Sequence, residues 1–538
     1  MATKIRRLAL ASAWLLVSVI SILPIIGIAI GLWPQEPVTL ASLKSFLAYQ
    51  SLGYSALLTL FTAVFSSLLS LYIGFMVFSQ YHQSRRLQSF EKYLAPFLAL
   101  PHLAIALGCV FLFSDGGVFF VDAGLPRKGL STLIIAIILK EVPFFLLIFS
   151  AIARQLPIKY WLLQGKALGY QDHCCWWLLV FPAILKQSRL ALLAASAYTL
   201  SVVDISFLVG PNIPELFAVA MYRWQTSFSV GDQTLAFWAN VLLLGLLMLS
   251  ILLLYGHEKV VNFACKHGAV LGSPVRLGVV NKLFVAWLPV TGVLVLLMVM
   301  VFALLSLGAN WQIEGSVLAK LSTQLWQDEW LFVSEPLQNS VIIGVFAGLF
   351  GVACALLALA LQRQRKRYLP DYFWLLGILL PQLSIVLGWQ VLHIALEAGY
   401  NLNWIILSHL PFTFAYAYLV LKGPFQSIDP RFELLAASFG YSPWQSWYKV
   451  RLRLLLPAVF SAFAITFSVS IAQYIPTLMI GAGRVATITT EAVSIGTGSQ
   501  QDVMAVYMLL QSVLPFVAFL AAALLAQKFR GSVDVQTH

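Results

Sequence analysis

The sequence predicts an all-α integral membrane protein with about twelve spanning helices, arranged as two parallel repeats of six. Composition gives the first reason, because 60% of the 538 residues are hydrophobic and only 10% are charged, whereas soluble domains carry about 25% charged residues. The second reason is that long apolar segments alternate with short polar loops. The third is an internal repeat, because the pattern around Gly169 returns around Gly440.

The first apolar segment, 8–32, follows the basic residues Lys4, Arg6 and Arg7. A cleaved signal peptide has an apolar core of about 7–15 residues, so this longer segment predicts a retained span that starts in the cytoplasm. A length of about 20 apolar residues per span predicts the other five spans of the first half at 51–79, 93–113, 130–152, 190–210 and 233–255.

A polar, basic segment from His257 to Lys282 separates two halves, which we expect to occupy 1–268 and 269–538. The pattern then restarts, and its first span is followed by a longer polar stretch at 308–335. The spans of the second half are expected at 283–307, 337–361, 372–396, 404–421, 455–480 and 504–526.

Topology explains the basic charge balance. The net charge of +12 would by itself suit a nucleic-acid partner. Under this assignment, however, 26 of the 33 Lys and Arg residues but only 7 of the 21 acids fall on the side of the N-terminus. Such an excess follows the positive-inside rule. It predicts a multi-pass membrane protein with both termini in the cytoplasm and no nucleic-acid partner.

The two halves repeat in the same direction. Six spans per half is an even number, so both halves share one orientation in the membrane. Downstream, three pairs match at one constant spacing along the chain: Gly169 with Gly440, Tyr170 with Tyr441, and Gly210 with Gly481. Upstream, the segment 100–108 resembles 380–388 at a slightly larger spacing, because the loops of the two copies differ a little in length.

Two loops, loop A (153–189) and loop B (422–457), carry the most informative pattern. In loop B, Asp429-Pro430 predicts the start of a short helix, Gly440 its left-handed end, and Ser442-Pro443 the start of a second helix. We expect this helix–turn–helix to lie across the membrane surface, with one face kept flat by alanines and with aromatic anchors after the turn. These residues are Ala436, Ala437, Trp444, Trp447 and Tyr448. Aromatic anchors suit either a protein partner or the lipid interface.

Both loops resemble the EAA loop of the permeases of ABC importers. In that family an Ala-Ala pair precedes a Gly, a hydrophobic-Pro pair follows, and the loop forms a coupling helix that docks on the ATPase subunit. The matching residues are Glu433, Ala436, Ala437, Gly440, Tyr441 and Pro457 in loop B, and Gly169, Tyr170 and Pro182 in loop A. Loop A departs from the pattern, because Leu162 stands where loop B has Glu433, and Gly165-Lys166 replaces the Ala pair.

The resemblance implies a type I importer permease of a bacterial inner membrane, in which both halves are fused in one chain, similar to permeases of ferric-iron and thiamine importers. It also implies two copies of an ABC ATPase on the cytoplasmic side and a soluble substrate-binding protein on the other. Because loop A lacks part of the pattern, we expect it to grip the ATPase less well than loop B.

Four residues near the repeated segments are candidates for the path of a solute. Asp204 and Glu141 are acids in or beside apolar segments, where an ionisable group indicates function by default. Gln473 and Tyr474 lie beside Ile475, the repeat equivalent of Asp204. If Asp204 lines the path, a cationic solute is favoured. The alternative is that Asp204 caps a helix end near the outer surface.

The sequence lacks the motifs that several classes of enzyme and metal-binding protein require. The sequence has no G-x-x-x-x-G-K-[ST] motif, so we expect a transport subunit that is not an enzyme and holds no cofactor, with ATP used by the partner. No H-E-x-x-H or G-x-S-x-G motif supports a membrane hydrolase, and the five cysteines show no C-x-x-C spacing for a metal. An ion-coupled secondary transporter with twelve spans remains the alternative.

Overall fold

The computed structural model of the protein describes residues 2–34, 39–82, 100–114, 126–227, 229–271, 284–308, 321–365, 369–496, 498 and 500–534. The regular elements of these ranges are helices, which confirms the predicted all-α class. The upstream part of the third predicted span, the end of the central segment and most of the stretch 308–335 lie outside the described residues.

The first half contains twelve α-helices in the described ranges. In chain order they are α1 (Ala2–Gly31), α2 (Leu40–Leu47), α3 (Leu52–Tyr81), α4 (His102–Phe113), α5 (Leu130–Ala153), α6 (Ile158–Ala167), α7 (Asp172–Cys175), α8 (Phe181–Gln187), α9 (Arg189–Ser201), α10 (Asp204–Val209), α11 (Phe217–Thr226) and α12 (Val230–Leu271).

The second half begins with a short 3₁₀ turn and then contains a similar series of twelve α-helices in the described ranges. After that turn (Phe284–Ala286), the helices are α13 (Trp287–Ser306), α14 (Gln324–Arg365), α15 (Asp371–Trp374), α16 (Leu376–Leu379), α17 (Gln382–Ala395), α18 (Leu402–Ser427), α19 (Arg431–Ser438), α20 (Pro443–Ser446), α21 (Leu452–Ile471), α22 (Ile475–Gly481), α23 (Ile488–Gly496) and α24 (Gln501–Asp534).

In the described part of the chain, nine helices are long and apolar enough to cross a membrane, or ten if the bent pair ending at Ser201 counts as one. The predictions of unbroken spans at 190–210 and 455–480 were wrong, because each is interrupted before its last turns. Pro476 stands in the first turn of α22, a position that suits proline because the N–H that it lacks would have no partner within the helix. In the first half, Val202 adopts an extended backbone after α9. The span expected at 372–396 is likewise divided into α15, α16 and α17.

Two helices run further than predicted. α12 continues to Leu271, so the first part of the segment assigned as a polar link is helical. α14 begins at Gln324 rather than near 337. The side-chain amide of Gln324 donates to Asp328 at 2.9 Å, an i, i+4 pair of the kind that supports a helix in water. Polar residues thus extend these helices beyond their apolar parts instead of ending them.

The first helix of each half packs against the other half. Along α1, Gly27 and the α17 residue Gly388 meet so closely that a Cβ on Gly388 would collide with the carbonyl oxygen of Gly27. In the mirrored contact, the side chain of Met298 in α13 fills the space in front of Gly108 in α4. Because Gly108 and Gly388 are repeat equivalents, the exchange of first helices follows the pseudo-symmetry of the halves.

Hydroxyl groups fix equivalent helix starts in both halves. The Thr59 hydroxyl accepts a hydrogen bond from the backbone N–H of Phe217 at 2.8 Å. The Ser340 hydroxyl accepts one from Ile488 at 2.9 Å. Phe217 and Ile488 have the same spacing along the chain as Gly169 and Gly440, so the repeat extends through α11 and α23. Each bond satisfies a donor that the first turn of a helix leaves unpaired.

We predict that Gly388→Ala destabilises the protein by about 1–3 kcal/mol, the usual range for overpacking a close contact, because backbone atoms of α1 cannot move aside as a flexible side chain could. Thermal unfolding in detergent measures the effect. Gly245→Ala in α12 is the control, since a Cβ there meets nothing within 4 Å. Equal melting temperatures for both variants would show that the crossing is loose.

Candidate functional site: two paired loops and the cavity between the halves

Loops A and B share one backbone design. Gly169 and Gly440 have φ values of 85° and 79°, in the left-handed region that glycine tolerates. The N–H of Tyr170 donates to the Gly165 carbonyl at 3.0 Å, and that of Tyr441 to the Ala436 carbonyl at 3.1 Å. These bonds form the C-terminal cap in which a left-handed residue ends a helix. The predicted conformation of Gly440 is confirmed.

The second helix of each loop also repeats. A π-helical turn covers Trp176–Val180 in loop A and Trp447–Arg451 in loop B, again at the spacing of the two glycines. In loop B the Ser442 hydroxyl accepts from the N–H of Gln445 at 3.2 Å, which confirms the predicted cap. The first helix of loop B begins one residue later than predicted, at Arg431, whose N–H donates to the Asp429 carboxylate at 2.8 Å.

The two prolines of the motif hold different positions. Pro182 directly follows the π-helical turn of loop A, inside the continuous helical run Asp172–Gln187. Pro457 lies inside α21, and its carbonyl accepts a hydrogen bond from the Ser461 hydroxyl at 3.0 Å. Both prolines therefore lie on the helices that lead from the loops into the bundle.

The prediction that Ala436 and Ala437 form a flat outer face was wrong for Ala436. Ala436 is buried, while Ala437 is exposed. The repeat equivalent of Ala436 is Gly165, where a Cβ would collide with the Cys175 sulfur. Ser446, the buried equivalent of Cys175, carries a smaller atom than sulfur. A small residue is thus required because the inner side of the turn packs on the following helix.

Glu433 joins loop B to the bundle. Its carboxylate accepts from Arg363 at the end of α14 at 2.8 Å and from Arg451. The Arg451 side chain is buried, with 1% of the residue exposed, and it also donates to the Phe425 carbonyl at 2.8 Å. The Glu433 carboxylate is therefore occupied inside the chain.

Loop A reaches the same geometry with apolar side chains. The equivalents of Glu433 and Arg451 are Leu162 and Val180, and both are buried. The departure from the motif at Leu162 therefore comes with a second, matching change at Val180. Because both charges are absent together, loop A leaves no buried charge without its counter-charge.

A second pair shows the opposite exchange. In loop A, Arg189 forms two hydrogen bonds of 2.5 Å to Glu258 in the extended part of α12. The equivalent residues are Phe460 and Phe529, whose ring centroids are 5.8 Å apart. The helix that leaves each loop is thus braced against the last helix of its own half, by charges in the first half and by aromatic rings in the second.

The outer side of both loops exposes apolar residues at equivalent positions. Leu163 and Leu434 are 57% and 70% exposed, and Leu168 and Phe439 are 77% and 75% exposed. Loop B adds a further residue, because Trp444 is exposed and stacks on Trp447 with ring centroids 5.6 Å apart. We call these exposed positions the outer patches of loops A and B. Contiguous exposed apolar groups mark binding surfaces.

The interruptions in the two loop-derived helices face one cavity of about 110 Å³ between the halves. The breaks fall at equivalent places of the repeat, at 202–203 in the first half and 472–474 in the second. Three of the predicted path residues, Asp204, Gln473 and Tyr474, line the cavity. His102 and Gln382 also line it. They begin α4 and α17, the helices held by the exchanged first helices.

Glu141 does not line this cavity, so the structure separates it from the other three path candidates. Its carboxylate accepts a hydrogen bond from the Thr199 hydroxyl at 3.3 Å, just before the break in the first half. In the second half, His409 bonds the Ser470 hydroxyl at 2.8 Å and the Thr477 hydroxyl at 3.0 Å, one on each side of the break. Glu141 and His409 thus hold the interrupted helices in place.

The sequence analysis missed Gln382 and His102 as cavity residues. The side chain of Gln382 bonds that of Gln473, and its N–H donates to the Ser201 hydroxyl at 3.1 Å. The ring centroids of His102 and Tyr198 are 4.5 Å apart. The signal was present, because His102 and Gln382 occupy the same place in the repeated segments 100–108 and 380–388.

Comparison with known proteins decides the family. The chain is 30% identical over 536 residues to the inner membrane ABC transporter permease protein YnjC of Escherichia coli, covering 98% of both chains. The chain belongs to the ABC transporter permeases. This result confirms the family resemblance that the two loops indicated, and it makes the chain a transport component rather than an enzyme.

Other relatives match part of the permease. A spermidine/putrescine transport system permease protein PotC homolog of Mycoplasma genitalium is 31% identical over 170 residues, which cover 30% of this permease and 60% of that protein. The putative ferric transport system permease protein FbpB 1 of Haemophilus influenzae is 25% identical over 190 residues, 32% of this permease and 29% of its own length. No model of a protein family matches the permease.

We predict a large, non-additive effect when the buried ion pair of loop B is given the residues of loop A. Glu433→Leu alone removes the carboxylate that neutralises the buried Arg451 guanidinium. Breaking a fully buried pair costs about 3–5 kcal/mol, and the cost is lower here because 30% of the Glu433 side chain is exposed. The double variant Glu433→Leu/Arg451→Val recreates the pairing of Leu162 with Val180 and should recover part of that loss, because no charge is left uncompensated but Val is smaller than Arg and leaves a cavity.

Thermal unfolding of the wild type, both single variants and the double variant gives the coupling free energy. Arg431→Leu is a control, because Arg431 lies on the same helix and is exposed. If the losses of unfolding free energy in the two single variants simply added up in the double variant, the cores of loops A and B would not be interchangeable.

Proposed function

We propose that the permease forms the membrane path of an ABC importer, with loops A and B as docking sites for two copies of a separate ATPase subunit. The outer patches support this proposal, because both loops present exposed apolar side chains at equivalent positions. The sequence offers no phosphate-binding motif of its own. A soluble binding protein would deliver the solute to the opposite face.

Both loops connect directly to the cavity. In loop B, the turn at Gly440 leads through the π-helical turn into α21, whose last residue, Ile471, precedes the break. Twenty helical residues span about 30 Å, so a displacement of loop B is transmitted through one rigid element. In loop A the corresponding path is bent by 64° between Gln187 and Arg189. In the proposed mechanism, movement of loops A and B is therefore transmitted through these helices to both walls of the cavity.

Energy coupling requires two states of the permease. The ATPase can drive transport only if it binds the permease more tightly in one state than in the other. Loop B runs through its π-helical turn into α21, and loop A leads through α8 into the first-half counterpart, α9, so each of these helices moves with its loop. We infer that the halves rock against each other and open the cavity first to one side and then to the other.

The direction of the permease in the membrane follows from the charges. Loop A contacts the extended part of α12 through Glu258, and loop B contacts the end of α14 through Arg363. Together these regions hold 14 of the 33 Lys and Arg residues but only 4 of the 21 acids. We propose that this face and both termini lie in the cytoplasm, in accord with the positive-inside rule.

We predict that charges placed in the outer patches weaken ATPase binding. Leu434→Asp/Phe439→Asp in loop B should lower ATPase recovery in a detergent pull-down by about thirtyfold or more, because central apolar contacts of an interface contribute about 2 kcal/mol or more each. Leu163→Asp/Leu168→Asp tests loop A, where we expect a smaller loss.

The control is Ile213→Asp, which changes a residue that is 94% exposed in the connection after α10, away from both loops. If the quadruple variant, which combines both double variants, still recovered the ATPase stoichiometrically, the docking proposal would be contradicted. The outer patches would then be regions that lie in the lipid interface.

A further inference from the structure

We propose that the cavity between the halves binds the ammonium group of a small organic cation, with Asp204 as its counter-charge. This inference rests on the proposed transport function and names the class of solute. It is carried by the described residues that line the cavity, among which Asp204 is the one carboxylate and no Lys or Arg occurs.

Asp204 is placed by the break in the first half. It is the first residue of α10, so its carboxylate lies at the start of that helix. Its equivalent in the second half is Ile475, so the pseudo-symmetric cavity has a negative group on one wall only. A helix cap explains a polar residue at this place. It does not explain why the helix start at the cavity carries an acid in the first half, since the equivalent helix start in the second half carries Ile475 instead.

Aromatic rings surround the carboxylate. Tyr198, Phe412, Tyr416 and Tyr474 all line the cavity. A cation near the faces of such rings is attracted by their negative π-systems, and this attraction is strongest when water is excluded. Aromatic rings around a single carboxylate are typical of sites for ammonium groups.

Other solutes fit the lining less well. An anion would meet Asp204 without a lining Lys or Arg; the buried Lys140 lies outside the lining and donates to the Leu100 carbonyl. A bare metal ion needs several ligands, and no group of three or more His, Cys, Asp or Glu residues occurs in the described ranges. A neutral polyol would leave the buried charge of Asp204 uncompensated, which is costly.

The size of the cavity restricts what it holds in this state. Sites for drug-sized ligands have about 300–1,000 Å³, whereas this cavity has about 110 Å³. It takes an ammonium group with a few carbon atoms. Gln382 and Gln473, which bond each other across the cavity lining, offer amide groups to a further polar atom of the solute.

The first experiment measures binding to the full chain in lipid nanodiscs by calorimetry, with n-butylammonium, n-butanol and butyrate as probes of one size and three charges. We expect the ammonium to bind and the alcohol and the carboxylate to bind at least about tenfold more weakly, in line with the loss of a desolvated ion contact. The proposal would be overturned if butyrate or butanol bound as tightly as n-butylammonium.

Variants then test the counter-charge. Asp204→Asn should weaken n-butylammonium binding by about tenfold or more, whereas Asp204→Glu should retain it because the charge is kept. Asp328→Asn, which removes an exposed acid outside the cavity, is the matched control and should bind as the wild type does. Unchanged binding by Asp204→Asn would overturn the assignment of Asp204.

A second measurement does not depend on affinity. Gln473→Cys, in a chain whose five native cysteines are replaced, is modified with 2-aminoethyl and 2-sulfonatoethyl methanethiosulfonate. The cationic reagent should react faster, and adding Asp204→Asn should lower the ratio of the two rates by about tenfold, as expected for removing one charge at short range in a partly buried site. An unchanged ratio would contradict the proposal.

These results separate the cation site from the transport function. Binding to the nanodisc-embedded chain needs no ATPase, whereas the proposed function is tested by ATPase recovery. A permease that binds its ATPase through the outer patches but shows no preference for the ammonium probe would retain the function and lose the cation site.

Discussion

The close crossing of α1 and α17 at Gly27 and Gly388 is the contact on which the arrangement of the two halves depends. It brings the first helix of the chain onto the second half, and the mirrored contact at Gly108 brings α13 onto the first. The helices held in this way, α4 and α17, begin at the cavity. The cavity wall is therefore fixed from outside by helices that belong to the opposite half.

The two loops show that one geometry can be built from different chemistry. Loop B has a buried Glu433–Arg451 pair where loop A has Leu162 and Val180, while the brace to the last helix is ionic in the first half and aromatic in the second. In each case both members of the contact differ together. A buried charge is tolerated only with its partner, so a change at one position restricts what the other can be.

Local features of the sequence were predicted well, because they depend on neighbouring residues. The apolar segments gave most span positions, and the Gly-Tyr pairs gave the turns of both loops. The break before Pro476 had a local signal that the apolar character of the segment concealed. Three features depend on residues that are distant in sequence, so the hydrophobic periodicity could not predict them. They are the burial of Ala436, the partners of Glu433 and the exchange of first helices.

The unlike braces make the halves respond differently to their surroundings. The Arg189 side chain is about half exposed, so added salt screens its attraction to Glu258, while the contact of Phe460 with Phe529 gains from the same salt if the anion is strongly hydrated. Ionic strength therefore shifts the two braces in opposite directions, whereas a symmetric dimer of identical subunits would respond to salt equally on both sides.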